Sequence, residues 1–409
     1  MKTDVIIIGG GAAGLCAAVY LKQKAPKMTV RILEGQPRVA KKLITTGNGR
    51  CNISNKNIDI SRYHGENVEF CEYALNKYNV SVCESFFESI GVPFIYEGDK
   101  AYPASLQAGS VVDCLRCAAE DLGILIKTDV KVTNINILGD CYRVMANKVG
   151  FVTKNVIIAT GGLAGGEKLG CDGSMLKILQ SAGFDVVEPT PSIVQLRTVN
   201  DITKQLKGIK VDANVTLKTQ KNILRQDFGE VLFTDYGLSG PPIMQISREV
   251  ARQNENTFIS LDLKPDTDFD LLCEKIKKRI TNLPNRLLEE FFTGMFNKRV
   301  GQVILKMAGF KLSQKASEID ESALRKIANI IKDMQFAVTG TTGFASAQVT
   351  AGGLSTKQFN PKTMESLDCK NLYCVGEILD IDGDCGGFNL QWAWSSAMCA
   401  VNAILGENK

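Results

Sequence analysis

The sequence predicts an α/β protein: a discontinuous Rossmann-like dinucleotide-binding domain interrupted by an insertion that is part β and part helical. Three observations predict it. A buried strand at 4–8 runs into Gly9-Gly10-Gly11-Ala12-Ala13-Gly14 and then into a helix. Two later buried runs, 155–159 and 371–375, also end in glycines. Between those runs the pattern changes at Pro189 and Pro191 and does not return to the first regime until about residue 355.

Taken in order, 4–8, 15–22 and 29–33 form a compact βαβ unit in the first 35 residues. Residues 37–55 lack apolar periodicity and read as an extended loop. A helix is expected over 110–122, with Val111, Leu115, Ala118 and Leu122 on one face. Successive strands are expected over 124–159. Strand-like segments alternate with turns from about 191 to 265, helical patterns dominate 266–334, and strands return at 335–354. A strand at 371–375, a glycine-rich turn and a helix over 388–405 complete the chain. The expected domains are therefore 1–190 with 355–409, 191–265 with 335–354, and 266–334.

The bulk numbers agree with a chain of two or three domains. It has 409 residues, 44% hydrophobic and 22% charged. Lys and Arg number 48 against 44 Asp and Glu, so the net charge of +4 is nearly neutral at this length and gives no argument for a nucleic-acid partner. The thirteen cysteines are scattered, which reads as reduced thiols in a cytoplasmic protein. The apolar stretch 5–21 resembles a signal-peptide core, but Asp4 precedes it and glycines interrupt it, so strand–turn–helix is the better reading. No other stretch approaches a membrane-spanning length, so no membrane partner is expected. A single histidine, His64, excludes a histidine-rich metal site, and no metal is expected.

The glycine motif carries the first chemistry. Gly9 permits a tight turn, Gly11 lets the backbone approach a pyrophosphate, and Gly14 lets the helix pack closely on the strand. The helix N-terminus presents free N–H groups and partial positive charge to phosphates, with Ala13 in its first turn. Glu34 follows the second strand, where an acid accepts hydrogen bonds from ribose hydroxyls and disfavours a 2′-phosphate. That leaves FAD or NAD. The later strand ends decide for FAD. Ala159-Thr160-Gly161-Gly162 and Val375-Gly376-Glu377 resemble the strands that close the sheet in two-part flavoprotein domains. Gly386-Gly387-Phe388-Asn389 would aim a helix N-terminus at the flavin pyrimidine edge, where reduced flavin is negative.

With these residues in view, the chain resembles a bacterial flavoprotein family that includes BaiN-like bile-acid flavoproteins and aminoacetone oxidases. The resemblance runs through Lys41-Lys42-Leu43-Ile44-Thr45-Thr46-Gly47-Asn48-Gly49-Arg50-Cys51-Asn52. It continues through Ala159–Gly162, Phe233-Thr234-Asp235-Tyr236-Gly237-Leu238-Ser239-Gly240-Pro241, Val349-Thr350-Ala351-Gly352-Gly353 and Gly376-Glu377-Ile378-Leu379-Asp380 to the Gly386–Asn389 turn. It covers nearly the whole chain. It implies a glutathione-reductase-like FAD domain with an inserted β-barrel-like domain and a helical domain. It places the 42–52 loop along the flavin, with Arg50 and Asn52 near the ring or pyrophosphate, and Glu377 and Asp380 near the ribityl chain.

The expected FAD-binding residues are thus Gly9, Gly11, Ala13, Gly14, Glu34, Lys42, Gly49, Arg50, Asn52, Val130, Ala159, Thr160, Gly161, Gly376, Glu377, Asp380, Gly387, Phe388 and Asn389. Ser239-Gly240-Pro241 also reads as an ordinary helix start, with Ser239 as cap. Cys114 and Cys117 have redox spacing but fall inside the 110–122 helix rather than at its N-terminus, so they read as structural. Cys51 and Cys385 lie in flavin-facing segments. Cys385 is the one catalytic candidate, as a thiol that could relay electrons or protonate a product.

The function expected first is an NADH- or NADPH-driven flavin reductase of a small organic acceptor, with hydride passing from flavin N5; the resemblance suggests an activated C=C bond, as in a bile-acid intermediate. No second Gly-x-Gly-x-x-Gly in a strand–helix context marks a nicotinamide domain. The alternatives are an amine oxidase using O2, an RNA-modifying flavoprotein, and a redox sensor without turnover.

Overall fold

In the computed structural model, which describes residues 3–199, 201–253 and 255–407, the first strand β1 (Thr3–Ile8) is buried on both faces. Its run of Val and Ile suits the middle of a parallel sheet, where helices cover both sides. Helix α1 (Ala12–Lys24) returns the chain to β2 (Val30–Leu33), and α2 (Ala108–Asp121) leads to β3 (Leu125–Lys127). An antiparallel meander follows: β4 (Val132–Leu138), β5 (Cys141–Ala146) and β6 (Val149–Ile158). The last half of β6 inserts beside β1, with Ile8 opposite Ile158. Strand β7 (Leu372–Cys374) then adds to the other edge of β6, with Cys374 opposite Ile158. The parallel order is β3-β2-β1-β6-β7, so the carboxyl ends of β1, β6 and β7 meet at one rim, where open α/β sheets bind ligands.

Helix α3 (Phe388–Ile404) explains why the C-terminus belongs with this sheet. Nearly all of it is buried, and it packs on α1. Trp392 and Trp394 are fully enclosed, and each indole N–H finds a backbone carbonyl, Gly376 O at 3.1 Å and Ile53 O at 3.0 Å. Truncating either ring to Ala would cost about 3–5 kcal/mol.

The chain divides into two compact units, Met1–Ser192 with Phe344–Lys409, and Ile193–Gly343. The second unit contains a closed six-stranded barrel in the order Leu196–Thr198, Gly237–Ser239, Ile223–Phe233, Lys210–Lys218, Phe258–Asp262 and Met334–Thr341. Helices Phe269–Asn282, Lys298–Met307 and Glu321–Lys332 share one core with it: Phe233, Ile259 and Phe336 of the barrel join Ile276, Ile304 and Ile327. Residues 266–334, expected as a helical domain, thus lie in the same unit as the barrel. The strand Val349–Leu354, expected with the insertion, pairs with Val186–Ser192 in the first unit.

Two local expectations change. The helix after Ser239 is Pro241–Ala251, and its N-cap is Gly240, not Ser239, which ends a barrel strand. Gly240 has φ +107°, and a Cβ there would meet Glu230 O at 2.2 Å, so only glycine serves. The 37–55 loop is not wholly extended: Leu43–Gly49 is a short 3-10 segment, broken where Gly47 and Asn48 turn left-handed.

Candidate functional site

The rim of the sheet in the first unit is built first from backbone. A Cβ on Gly9 would lie 2.6 Å from Ala159 O, and one on Gly14 would lie 2.0 Å from Gly9 O. Glycine at both positions lets β1, β6 and α1 approach this closely. At Gly11 the nearest atom is 4.0 Å away, so that side of the turn is open. Helix α1 starts on Gly11 without a side-chain cap, which leaves its first-turn N–H groups, Ala13 among them, for a ligand.

Glu34 stands directly after β2. One carboxylate oxygen accepts from Gly10 N–H at 2.7 Å and the other from Gln36 N–H at 2.7 Å. Its own carbonyl accepts from Val130 N–H at 2.9 Å. Glu34, Val130, Gly9, Thr160, Gly161 and Met175 line one cleft. Asp172 lies at the same cleft. Burial pulls its acid up, yet Lys131 at 2.5 Å and the Ser174 hydroxyl and N–H hold it at about 2.

The middle of the rim is a polar network. Lys42 Nζ pairs with Glu377 at 2.6 Å, both groups half-buried. The other Glu377 oxygen accepts from Thr350 N–H at 2.7 Å. Thr350 Oγ1 in turn accepts from Leu163 and Ala164 N–H at 2.8 and 2.9 Å, tying the glycine-rich loop after β6 to the strand Val349–Leu354. Gly376 holds the left-handed turn before Glu377, and its N–H donates to Ser396 on α3 at 2.9 Å.

The far end adds side chains to backbone. Helix α3 starts on Gly387, again without a side-chain cap. A Cβ there would lie 2.4 Å from Ser54 O and 2.9 Å from Asn52 Oδ1. The 52–55 segment is clamped onto this turn: Asn55 Nδ2 donates to Gly386 O at 2.8 Å, and Ser54 Oγ to Gln391 Oε1 at 2.6 Å. Asn389 uses its amide on Gly383 and Asp384, and one Asp380 oxygen, Oδ2, accepts from Glu66 N–H at 2.8 Å. The Phe388 ring packs edge-on against Tyr63 as a buttress. Arg50 pairs with Glu97, and its guanidinium lies over the Tyr102 ring, 4.4 Å from the centroid. Gly49 is open to its surroundings.

Cys385 is exposed and precedes this turn; it acts electrostatically on the Tyr102 phenol, which burial raises most. Cys51 is buried, and burial pushes its thiol up to about 12, which makes it inert at neutral pH. None of the thirteen cysteines is in a disulfide. Cys114 and Cys117 lie within α2, and burial raises Cys114, the opposite of the shift a redox thiol needs. His64 Nε2 contacts the buried Asp384 at 2.8 Å, on the two-residue strand that pairs with Asp382–Gly383. Sequence reasoning had no role for Thr350 beyond its motif, nor for Asp172, Tyr102 or Lys100. No periodicity or spacing marks them, because Asp172, Thr350 and the strand that carries Lys100 and Tyr102 reach the site from separate segments.

The residues present fit FAD. Thr160 Oγ1 and Asn52 Oδ1 are buried without a hydrogen-bond partner, one at each side of the rim, and buried polar atoms need partners. Two uncapped helix starts and a glycine cradle supply anion-binding N–H groups. The backbone from Gly9 to Gly14 would hold the pyrophosphate, Glu34 the ribose, Glu377 and Lys42 the ribityl region, and Asn52 with the Gly387 turn the flavin edge. Among the described residues no His/Cys/Asp/Glu cluster could hold a metal, and no helix is long and apolar enough to cross a membrane.

Residues 3–403 match the family described as HI0933-like protein Rossmann domain. The 3-dehydro-bile acid delta(4,6)-reductase of Clostridium scindens is 33% identical over 400 residues, 97% of this chain and 98% of that protein. Ribosomal RNA dihydrouridine synthases of Haemophilus influenzae and Escherichia coli are 28% and 27% identical, over 98% and 100% of this chain and 98% and 99% of theirs. Among solved structures, an E. coli quinol fumarate reductase (14% identity, TM-score 0.53) covers all of this chain with 70% of its own. A 3-ketosteroid delta1-dehydrogenase of Sterolibacterium denitrificans (12% identity, TM-score 0.51) covers 99% with 99% of its own. At these identities the structural likeness is one of fold.

Proposed function

This chain belongs to the HI0933-like family and is an FAD-dependent oxidoreductase; from that premise we propose that it is a reductase adding a hydride and a proton across a C=C bond conjugated to a carbonyl, with NADH or NADPH as reductant. Bound FAD would supply the two-electron chemistry. The chain's own residues do the rest. The start of α3 would offer N–H groups and partial positive charge to the flavin edge, which would favour the reduced, negative form. Cys385, next to that turn and open to solvent, gives its Sγ proton to the acceptor's α-carbon and is reprotonated from water.

The observation that carries this reading is the exposed thiol immediately before the Gly386–Gly387 turn, with Tyr102 within electrostatic reach. The relatives support it. A 3-dehydro-bile acid delta(4,6)-reductase and a dihydrouridine synthase act on different molecules, yet a ring C=C conjugated to a carbonyl is common to a 3-oxo-4-ene steroid and to uracil. The steroid-like small acceptor is the first reading because that relative is the more similar one. The second reading, a uracil ring in RNA, is favoured by the full-length match to the two synthases and by the location of the chain's positive surplus in 193–343.

The test is anaerobic spectroscopy of the purified holoenzyme. NADH or NADPH should bleach the flavin, and a 3-oxo-4-ene steroid should restore its colour. Restoration by uridine-containing RNA alone would move the protein to the second reading. Bleaching by an amine instead, with reoxidation by O2, would make it an oxidase; bleaching by neither donor would leave a sensor. Cys385→Ser should slow reoxidation by the steroid about 10²- to 10⁴-fold while leaving bleaching by the nicotinamide unchanged.

A further inference from the structure

The small sheet beside the Gly386–Gly387 turn has a face that the cofactor reading does not use. Strand Lys100–Pro103 pairs with Phe94–Glu97 and with Ser54–Asn55. Ala101 and Pro103 are buried; Lys100 is exposed on the opposite face, and Tyr102 on that face keeps only 8% of its surface open, its ring lying under Arg50. Ile95 lies across from Tyr102, and both Glu97 and Asn55 lie across from Lys100, so the face carries an apolar strip beside a charged one. Arg50 adds its guanidinium flat over Tyr102, held in place by Glu97. Lys100 makes no ion pair among the described residues, and its Cε comes within 3.8 Å of where a Gly386 Cβ would stand. An unpaired cation and a pre-oriented guanidinium thus sit next to Cys385.

We propose that this face is the acceptor's recognition site for a single carboxylate: Ile95 and the edge of Tyr102 receive the apolar body of an amphipathic carboxylic acid, and Lys100 with the free donors of Arg50 binds its acid group. The inference rests on the reductase reading, because that reading puts the acceptor beside Cys385. Charge decides for a monoanion. Arg50 and Lys100 set against Glu97 leave one net positive charge, which one carboxylate neutralises. Stacking on Tyr102 and pairing with Glu97 pre-order the guanidinium, so less entropy is lost when it binds a ligand. A charge-assisted contact to Lys100 is then worth about tenfold in affinity.

The experiment titrates the oxidised holoenzyme with a 3-oxo-4-ene steroid carboxylic acid and with its methyl ester, reading the flavin absorbance change. The acid should bind about tenfold more tightly than the ester. Lys100→Gln should abolish that preference without changing ester affinity, and Lys100→Arg should keep it. Equal affinities in the wild type overturn the proposal, as does a preference that survives Lys100→Gln. Binding of a uridine-containing oligoribonucleotide with neither steroid bound overturns it as well. The two readings fail separately: if the ester reoxidises the reduced holoenzyme as fast as the acid does, the reductase stands and the carboxylate site falls.

Discussion

Helices α1 and α3 of the first unit both begin on glycine with no side-chain cap, and their surroundings are built differently. The start of α1 is walled by backbone: Gly9 against Ala159, Gly14 against Gly9. The start of α3 meets the Ser54 backbone too, but it adds side chains from distant segments: Asn52 Oδ1 against Gly387 and Asn55 on Gly386, with Arg50, Tyr102 and Lys100 beyond. The difference follows from what each would hold. A pyrophosphate is satisfied by N–H groups and dipole alone, so any sequence that brings the backbone close will do. A flavin edge and its acceptor carry particular donors, acceptors and protons, which only chosen side chains can match.

The largest test of this contrast is Gly14→Ala. The added methyl meets a backbone carbonyl at 2.0 Å, which no rotamer relieves. We expect a loss of about 3 kcal/mol and purified protein without flavin, read by thermal denaturation and by absorbance. A variant that folds with full FAD content would show that the α1 turn is not closed by backbone packing.

At the other helix, Asn52→Leu sharpens the contrast. Asn52 Oδ1 is buried and unpartnered, so removing it should leave the apoprotein as stable or stabilise it by about 1 kcal/mol. FAD affinity should instead fall about tenfold, measured by titrating apoprotein. Unchanged affinity would take Asn52 out of the flavin site.

The smallest effect is pH-dependent. Asp172 is held at about 2 against an ordinary 3.8, so its folded form binds protons less readily than the unfolded chain. Its contribution is therefore complete above pH 4 and is lost as pH falls toward 2. With the group part-exposed, Asp172→Asn should cost about 1 kcal/mol at pH 7 in urea unfolding, and the difference from wild type should shrink on acidification. A difference independent of pH would mean that Asp172 acts by packing rather than by charge.

The α1 half of the site was legible because its signals are local. Gly9 to Gly14 and Glu34 sit within one βαβ unit, and the spacing itself states the geometry. The strand ends at Thr160 and Gly376 were legible as buried runs stopped by glycine, although their meeting needs the registers Ile8–Ile158 and Ile158–Cys374. Lys42 was expected beside the cofactor, but its pairing with Glu377, 335 residues away in sequence, was not visible. Likewise, the bonds of Asp380 Oδ2 to Glu66 N–H and of the Asn389 amide to Gly383 were not visible in the sequence.

By itself the amino-acid sequence determined the α/β class, the glycine cradle, the choice of an acid at residue 34 and the return of the C-terminal helix to the N-terminal sheet. These depend on periodicity and on residues that only one backbone conformation tolerates. Tertiary structure alone decided that the barrel and its helices share one core, that Gly240 rather than Ser239 opens a helix, and that Arg50, Tyr102, Lys100 and Cys385 gather around the start of α3. That gathering depends on strand register and on loops clamped from far along the chain, and no short-range pattern in the sequence encodes such distances.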